Sequence, residues 1–150
     1  SLASMRSTSF PTARDGAESC GYSFESRRSH RIVITTDTGV VTPEALEALA
    51  GAHVIGIEAN HDPRMLDAGP YPPFLKRRIA GDSGHLSNEA AAAALRSAGW
   101  QGLSQVFALH ISEKNNTPET ARGALVRSLA AHGAATLDTV ARGEIAGCSI

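Results

Sequence analysis

The groups able to do chemistry stand where hydrophobic runs stop. The β-branched run Arg31-Ile-Val-Ile-Thr-Thr36 gives way to Asp37-Thr38-Gly39, and the apolar stretch from His53 to Ile57 gives way to Glu58, Asn60, His61 and Asp62. A third run, Val106 to Leu109, ends in His110-Ile-Ser-Glu-Lys-Asn-Asn, and His85 stands just ahead of the helix start Ser87-Asn88-Glu89. Carboxylates and imidazoles gathered in one place suit a divalent cation, because neutral imidazole nitrogen and carboxylate oxygen are the usual donors for zinc or manganese. Taken singly, each has an ordinary reading. Asp37 before a glycine is also a turn cap, and a lone histidine is more often structural than a ligand. The set is what points to a site, because polar groups bracketed by rigid loops serve no core.

The elements that position these groups read as alternating strands and helices. In a βαβ layout the C-terminal ends of the strands lie on one edge, where α/β folds handle ligands. Thr42-Pro43 signals a helix with Thr42 as N-cap and proline at the first position, closed by Gly51. Ser87 to Ala98, alanine-rich at its centre, predicts a second, and Thr117-Pro118 opens a third that runs to about Ala131. Gly21 to Glu25 alternates weakly, and the Ser-Arg-Arg-Ser that follows it suggests a hairpin into the strand at Arg31. Between Asp62 and His85 the reading is a proline-punctuated excursion, with Tyr71 held extended between Pro70 and Pro72, then a cationic turn Lys76-Arg77-Arg78. Ala134 to Val140 and Glu144 to Ile150 read as closing strands. The first 19 residues, rich in Ser, Thr, Ala and Pro, read as a flexible arm or loop, leaving residues 20–150 as the folded unit.

Composition narrows the class. The chain of 150 residues has 42% hydrophobic content and a formal net charge of −1, which fits one globular domain with a real core. So small a charge excludes a general electrostatic grip on nucleic acid but not a local basic patch. No apolar run approaches the ~20 residues of a membrane span. The two cysteines, Cys20 and Cys148, make neither a disulfide framework nor a zinc pair, and read as thiols in a reducing cytoplasm.

Residues from about Phe10 to Ala130 resemble the C-terminal half of the metallo-β-lactamase-fold hydrolases, closest to the YycJ/WalJ-like branch. The matching runs are T-D-T-G (Thr36 to Gly39), E-A-N-H-D (Glu58 to Asp62), G-P-Y-P-P-F-L-K-R-R-I (Gly69 to Ile79), G-D-S-G-H-L-S-N (Gly81 to Asn88) and H-I-S-E-K-N-N-T-P (His110 to Pro118). The resemblance implies an α/β fold, half of an αββα sandwich: one mixed sheet with helices on one face. It also implies a two-metal site, zinc or manganese, acting on phosphodiester or similar bonds, as in the related ribonuclease Z and other nucleases. By position Asp37 is similar to the carboxylate that bridges the metals and His110 to the last histidine ligand. His85 is similar to the histidine that meets the scissile phosphate or assists proton transfer, with Arg14, Glu58, Asn60 and His61 at the edge of the site.

The departures carry equal weight. The family's T-H-x-H-x-D-H motif belongs to the other half, and the six histidines here (30, 53, 61, 85, 110 and 132) never fall at H-x-H spacing. Where the family has a further histidine, in S-H-D-A-A-E-P-x-G-Y, this chain reads Ala13-Arg14-Asp15-Gly16-Ala17-Glu18-Ser19-Cys20-Gly21-Tyr22. A guanidinium offers no lone pair to a metal, so Arg14 is expected to pair with Asp37 instead. Asp37 and His110 alone fall short of the three protein ligands of a catalytic zinc. The expectation is therefore an incomplete site that does not hold two metals tightly, in a fragment or truncated gene product. A half-sandwich also exposes an apolar sheet face, expected to be covered by self-association, as in a homodimer, or by a missing N-terminal half. The alternative is a non-catalytic half-domain that dimerises or binds a partner.

Overall fold

The computed structural model describes residues 5–13, 20–130 and 135–140. Six strands lie side by side in sequence order: β1 (Arg6–Pro11), β2 (Cys20–Glu25), β3 (Arg31–Thr35), β4 (Val54–Glu58), β5 (Gln105–Leu109) and β6 (Thr136–Thr139). The first three pair antiparallel, and β3 through β6 run parallel. Helix α1 (Pro43–Ala50) joins β3 to β4; α2 (Pro63–Ala68), α3 (Pro73–Ala80) and α4 (Asn88–Ser97) lie between β4 and β5; α5 (Pro118–Leu129) joins β5 to β6. Each parallel strand adds on the same side of its predecessor, so right-handed crossovers put the connecting helices on one face of the sheet.

That face is the core. Val33, Ile55, Val106 and Leu137 sit in one register row across β3 to β6, and all are at most 4% exposed. They meet Leu49 of α1, Ala91 and Leu95 of α4, and Leu125 and Leu129 of α5 in a single cluster. The alanines let α4 lie close to the strands. On the opposite face Ile34, Phe107 and Leu109 stay half-buried, and Tyr22 is 46% exposed. The mixed sheet with helices on one face is the architecture expected from the sequence.

Local signals placed the helix starts well. The Thr42, Ser87 and Thr117 side chains accept from the N–H groups of Ala45, Ala90 and Thr120, each at 3.1 Å, and proline stands in the first turn of α1 and α5. The hairpin between β2 and β3 forms around Ser26 to His30, with Ser29 at φ 61°.

Two expectations need correction. The supposed flexible arm contains β1, paired along its full length with β2. Its residues lack apolar alternation because all except Phe10 are exposed, so backbone bonding rather than burial makes it a strand. The stretch read as a proline excursion and cationic turn holds two short helices: Pro70-Tyr71-Pro72 stays non-helical between them, and the cationic turn is part of the second helix. Asp62 caps α2 by accepting from Arg64 and Met65, both at 2.9 Å, and Lys76-Arg77-Arg78 occupy the last turns of α3, which buries no residue. Without an apolar stripe, α3 leaves no periodicity to read. The region 144–150, Arg14, His132 and Cys148 lie outside the described residues. Among those described, no helix is long and apolar enough to cross a membrane.

Candidate metal centre

Four segments far apart in sequence meet beyond the C-terminal ends of β3, β4 and β5. After β3 the chain turns sharply at Asp37, whose φ is 53°, a left-handed conformation that Asp tolerates better than most side chains. Thr38 then hydrogen-bonds Val40 O through its hydroxyl at 2.6 Å. Gly39 is required by close approach: a Cβ there would lie 2.2 Å from Asp82 O and 2.3 Å from Gly81 O. This contact brings the Asp37 turn against the loop that carries His85. Ala13 is bonded to the same turn, donating to Thr38 Oγ1 and accepting from Gly39 N at 3.1 and 3.0 Å.

Glu58 ends β4 with no exposed surface, yet it is well satisfied. One oxygen, Oε2, accepts from Thr38 N at 3.0 Å, and Oε1 lies 2.8 Å from both His85 Nδ1 and His110 Nδ1. Burial pushes its carboxyl up, but bonds from His110, His85 and the Thr38 N–H, with the charge of His85, together hold it below the usual glutamate range. An ionised carboxylate only accepts, so both ring hydrogens sit on Nδ1 and the nitrogen left to each ring as an electron-pair donor is Nε2. Metal-binding histidines are commonly oriented in this way, by a carboxylate on the ring's other nitrogen.

Asp37 Oδ1 lies 3.9 Å from His85 Nδ1 and 3.7 Å from His110 Nδ1. Asp37, Glu58, His85 and His110 each present a ligand atom within 4.8 Å of the others. His110, like Asp37, has a φ of 53°. The extension of β4 ties the loops together: Asn60 N donates to Leu86 O and Asn60 Nδ2 to His110 O, both at 2.9 Å. Behind them the Asn88 and Asn116 amides bond reciprocally, and Asn116 Nδ2 also donates to Ala59 O at 2.8 Å. These buried amides fix the starts of α4 and α5 against β4.

The structure thus brings Asp37, His85 and His110 together, with Asn60 bracing the His110 loop. Glu58, expected at the site's edge, stands at its centre. His61 lies to one side, 2% exposed, with no partner on Nδ1 among the described residues. Burial lowers its affinity for a proton below that of an ordinary histidine, aided by the charge of His85 and opposed by Glu58 and Asp62. On the other flank, a cavity of about 520 Å³ is lined by Asn60, Tyr71, His110 and Lys114, whose ammonium stands 5.6 Å from the Tyr71 ring centre.

A mixed sheet whose parallel strands end in carboxylates and imidazoles, with helices on one face, defines a class of α/β proteins with a candidate metal site. The chain belongs to the beta-lactamase superfamily: the profile of the family described as "Beta-lactamase superfamily domain" matches residues 2–111. It is 37% identical to exodeoxyribonuclease YycJ of Bacillus anthracis over 114 residues, 76% of this chain and 43% of that protein. It is 35% identical to exodeoxyribonuclease WalJ of Streptococcus pneumoniae strain D39 over 122 residues, 81% of this chain and 45% of that protein. The chain therefore spans less than half the length of these relatives. Solved structures share the fold: zinc-bound PqqB from Methylobacterium extorquens (TM-score 0.56, 17% identity, 92% of this chain and 45% of that one) and a diphosphatase from the PhnP family (0.54, 17%, 91% and 41%).

Proposed function

We propose that this chain carries one half of the active centre of a metal-dependent hydrolase that cuts phosphodiester bonds in nucleic acid. The observation that carries the reading is the convergence of Asp37, Glu58, His85 and His110 within 4.8 Å. Two imidazoles and an accessible carboxylate fit zinc or manganese by donor type. Asp37 and His110, 42% and 45% exposed, are the residues that would hold the ion, with His110 presenting Nε2. A divalent cation bound there supplies Lewis acidity toward a phosphoryl oxygen.

The chain's own residues do the rest. Glu58, saturated by three donors, serves as the positioning group for both rings rather than as a ligand. With Nδ1 committed to Glu58, His85 can hold a proton on its other ring nitrogen beside the substrate and pass it to the departing oxygen. Asn60 and the Asn88–Asn116 pair keep the His110 loop in place. Relatives named as exodeoxyribonucleases and a diphosphatase in the same fold support phosphate-ester chemistry. On this reading the protein works in the cytoplasm, where its substrate lies, and the remaining ligands come from a segment outside this chain.

Calorimetric titration with zinc and with manganese tests the reading. At most one ion per chain is expected, with affinity falling at least about tenfold in Asp37→Ala and in His110→Ala. Binding untouched by both substitutions would overturn it.

The half-covered sheet face at Tyr22, Ile34, Phe107 and Leu109 favours a second role for the same half-domain, as a surface that docks on another copy or on a complementary half. Sedimentation at micromolar and nanomolar concentration decides this. A monomer throughout, with no binding of a dye for exposed apolar surface, would remove that reading.

A further inference from the structure

A cavity of about 460 Å³ opens on the His85 side of the metal centre, between α2–α3 and the start of α4. The chemistry at the metal centre does not use it. His61, Asp67, Lys76, Arg77, His85 and Ser87 are among its lining residues. Three observations bear on what it takes. It shares His85 with the metal centre, so whatever sits in it lies next to the reacting group. It holds two cations against one carboxylate, and among the described residues neither Lys76 nor Arg77 is within 4.0 Å of a carboxylate oxygen. The Lys76 ammonium donates to the backbone oxygen of Asp67, which anchors it and leaves two of its three donors unused. Finally, His61, 2% exposed, forms part of the cavity wall, and its enclosed Nδ1 has no partner among the described residues.

Unpaired cations and a buried imidazole beside a phosphodiester-cutting centre match one chemical class. We propose that this cavity is an anion subsite that receives the backbone phosphate of the nucleotide adjoining the bond being cut, held by Lys76 and Arg77, with the His61 ring in its wall. Helix α3 then has a reason for burying nothing: it turns Lys76 and Arg77 to the substrate strand, and its Phe74, 66% exposed, is available to stack on a base. The wall formed by α2, through Asp67 and Pro63, sets the far limit of the subsite.

This inference rests on the phosphodiesterase reading, and the test separates the two. Binding of a 3′-fluorescein-labelled hexathymidylate, with either a 5′-phosphate or a 5′-hydroxyl, is followed by anisotropy over a range of salt. The proteins compared are the wild-type chain, Lys76→Ala/Arg77→Ala, and Arg127→Ala, an exposed cation on α5 as control. The expected result is at least tenfold weaker binding by the double variant. Its salt slope should be shallower by roughly 0.7 for each phosphate that is no longer neutralised, and Arg127→Ala should match wild type. A 5′-phosphate preference present in wild type and absent from the double variant assigns the subsite to a terminal phosphate; equal binding of both oligonucleotides assigns it to an internal one. In both cases the His61 ring nitrogen resonances should move on titration with the wild-type chain and stay still with the double variant. Unchanged affinity and slope in the double variant, with wild type binding well, would overturn the subsite alone. A wild-type chain that binds neither oligonucleotide overturns the subsite together with the reading beneath it.

Discussion

Leu95 and Glu58 are both wholly buried, and they stand for two regions held together by different physics. Around Leu95 the helix-covered face of the sheet is dry and interlocked, its stability set by packing volume and apolar area. At the strand ends a short distance away, the Glu58 carboxylate is also excluded from water, but each of its oxygens has a donor, and the Asp37 and His110 side chains around it stand part-exposed. Loss of a methylene group is felt in the first region. In the second the loss of one partner is felt, because its mates are left unpaired in a poor solvent for charge. Two residues with positive φ, Asp37 and His110, flank the second region, while the core cluster has none. The core buries to stabilise; the strand ends hold strained, polar geometry that the core has to support.

The largest separation of the two regions is expected from Leu95→Ala. The cavity it leaves should cost about 2–5 kcal/mol in chemical denaturation, with zinc affinity of the remaining folded protein unchanged. If metal binding fell in step with stability, the two regions would be one cooperative unit.

Glu58→Gln should act the other way round. An amide in place of the carboxylate sets its NH2 either against the N–H groups of both rings, which share Oε1, or against the Thr38 N–H on the other side, so at least one buried donor loses its acceptor. Destabilisation of about 1–3 kcal/mol is expected, together with a loss of metal affinity of about 10–100-fold as the ring tautomers are released. Long-range proton–nitrogen spectra of His85 and His110 should show the hydrogen leaving Nδ1. Rings that keep it in the variant would disprove the orienting role of Glu58.

A smaller effect should follow pH. The buried His61 ring binds a proton less readily than it does in the unfolded chain. Stability is therefore greatest above the ordinary histidine value of about 6.5 and falls as pH drops below it, since the unfolded state gains the proton first. One such group contributes a slope of at most about 1.4 kcal/mol per pH unit. In His61→Gln the slope between pH 6.5 and 5 should flatten relative to wild type, and an unchanged slope would assign it elsewhere.

The smallest stability change should come from Asp37→Asn, within about 0.5 kcal/mol of wild type, because Asp37 is half-exposed. The same substitution should abolish most metal binding. That pairing of a negligible stability effect with a large functional one would mark Asp37 as a residue kept for its chemistry.

Much of the scaffold was legible because its signals are local. A Thr-Pro pair caps a helix wherever it falls, so α1 and α5 could be read from Thr42-Pro43 and Thr117-Pro118, and the β-branched runs gave β3, β4 and β5. Asp37, His85 and His110 were legible as chemistry-bearing residues at element ends. β1 and α3 were not, because neither buries an apolar stripe: the first exists through backbone pairing with β2, and the second rests against α2 with its whole surface exposed or half-exposed. By itself the sequence determined where helices begin, which runs enter the sheet and which side chains could bind a metal. Only the tertiary structure decided that Glu58 is the hub of the site. Its place depends on Thr38, His85 and His110 reaching it at once from three separate segments, and no spacing along a chain encodes a convergence that arises from the sheet's register and the Gly39 contact.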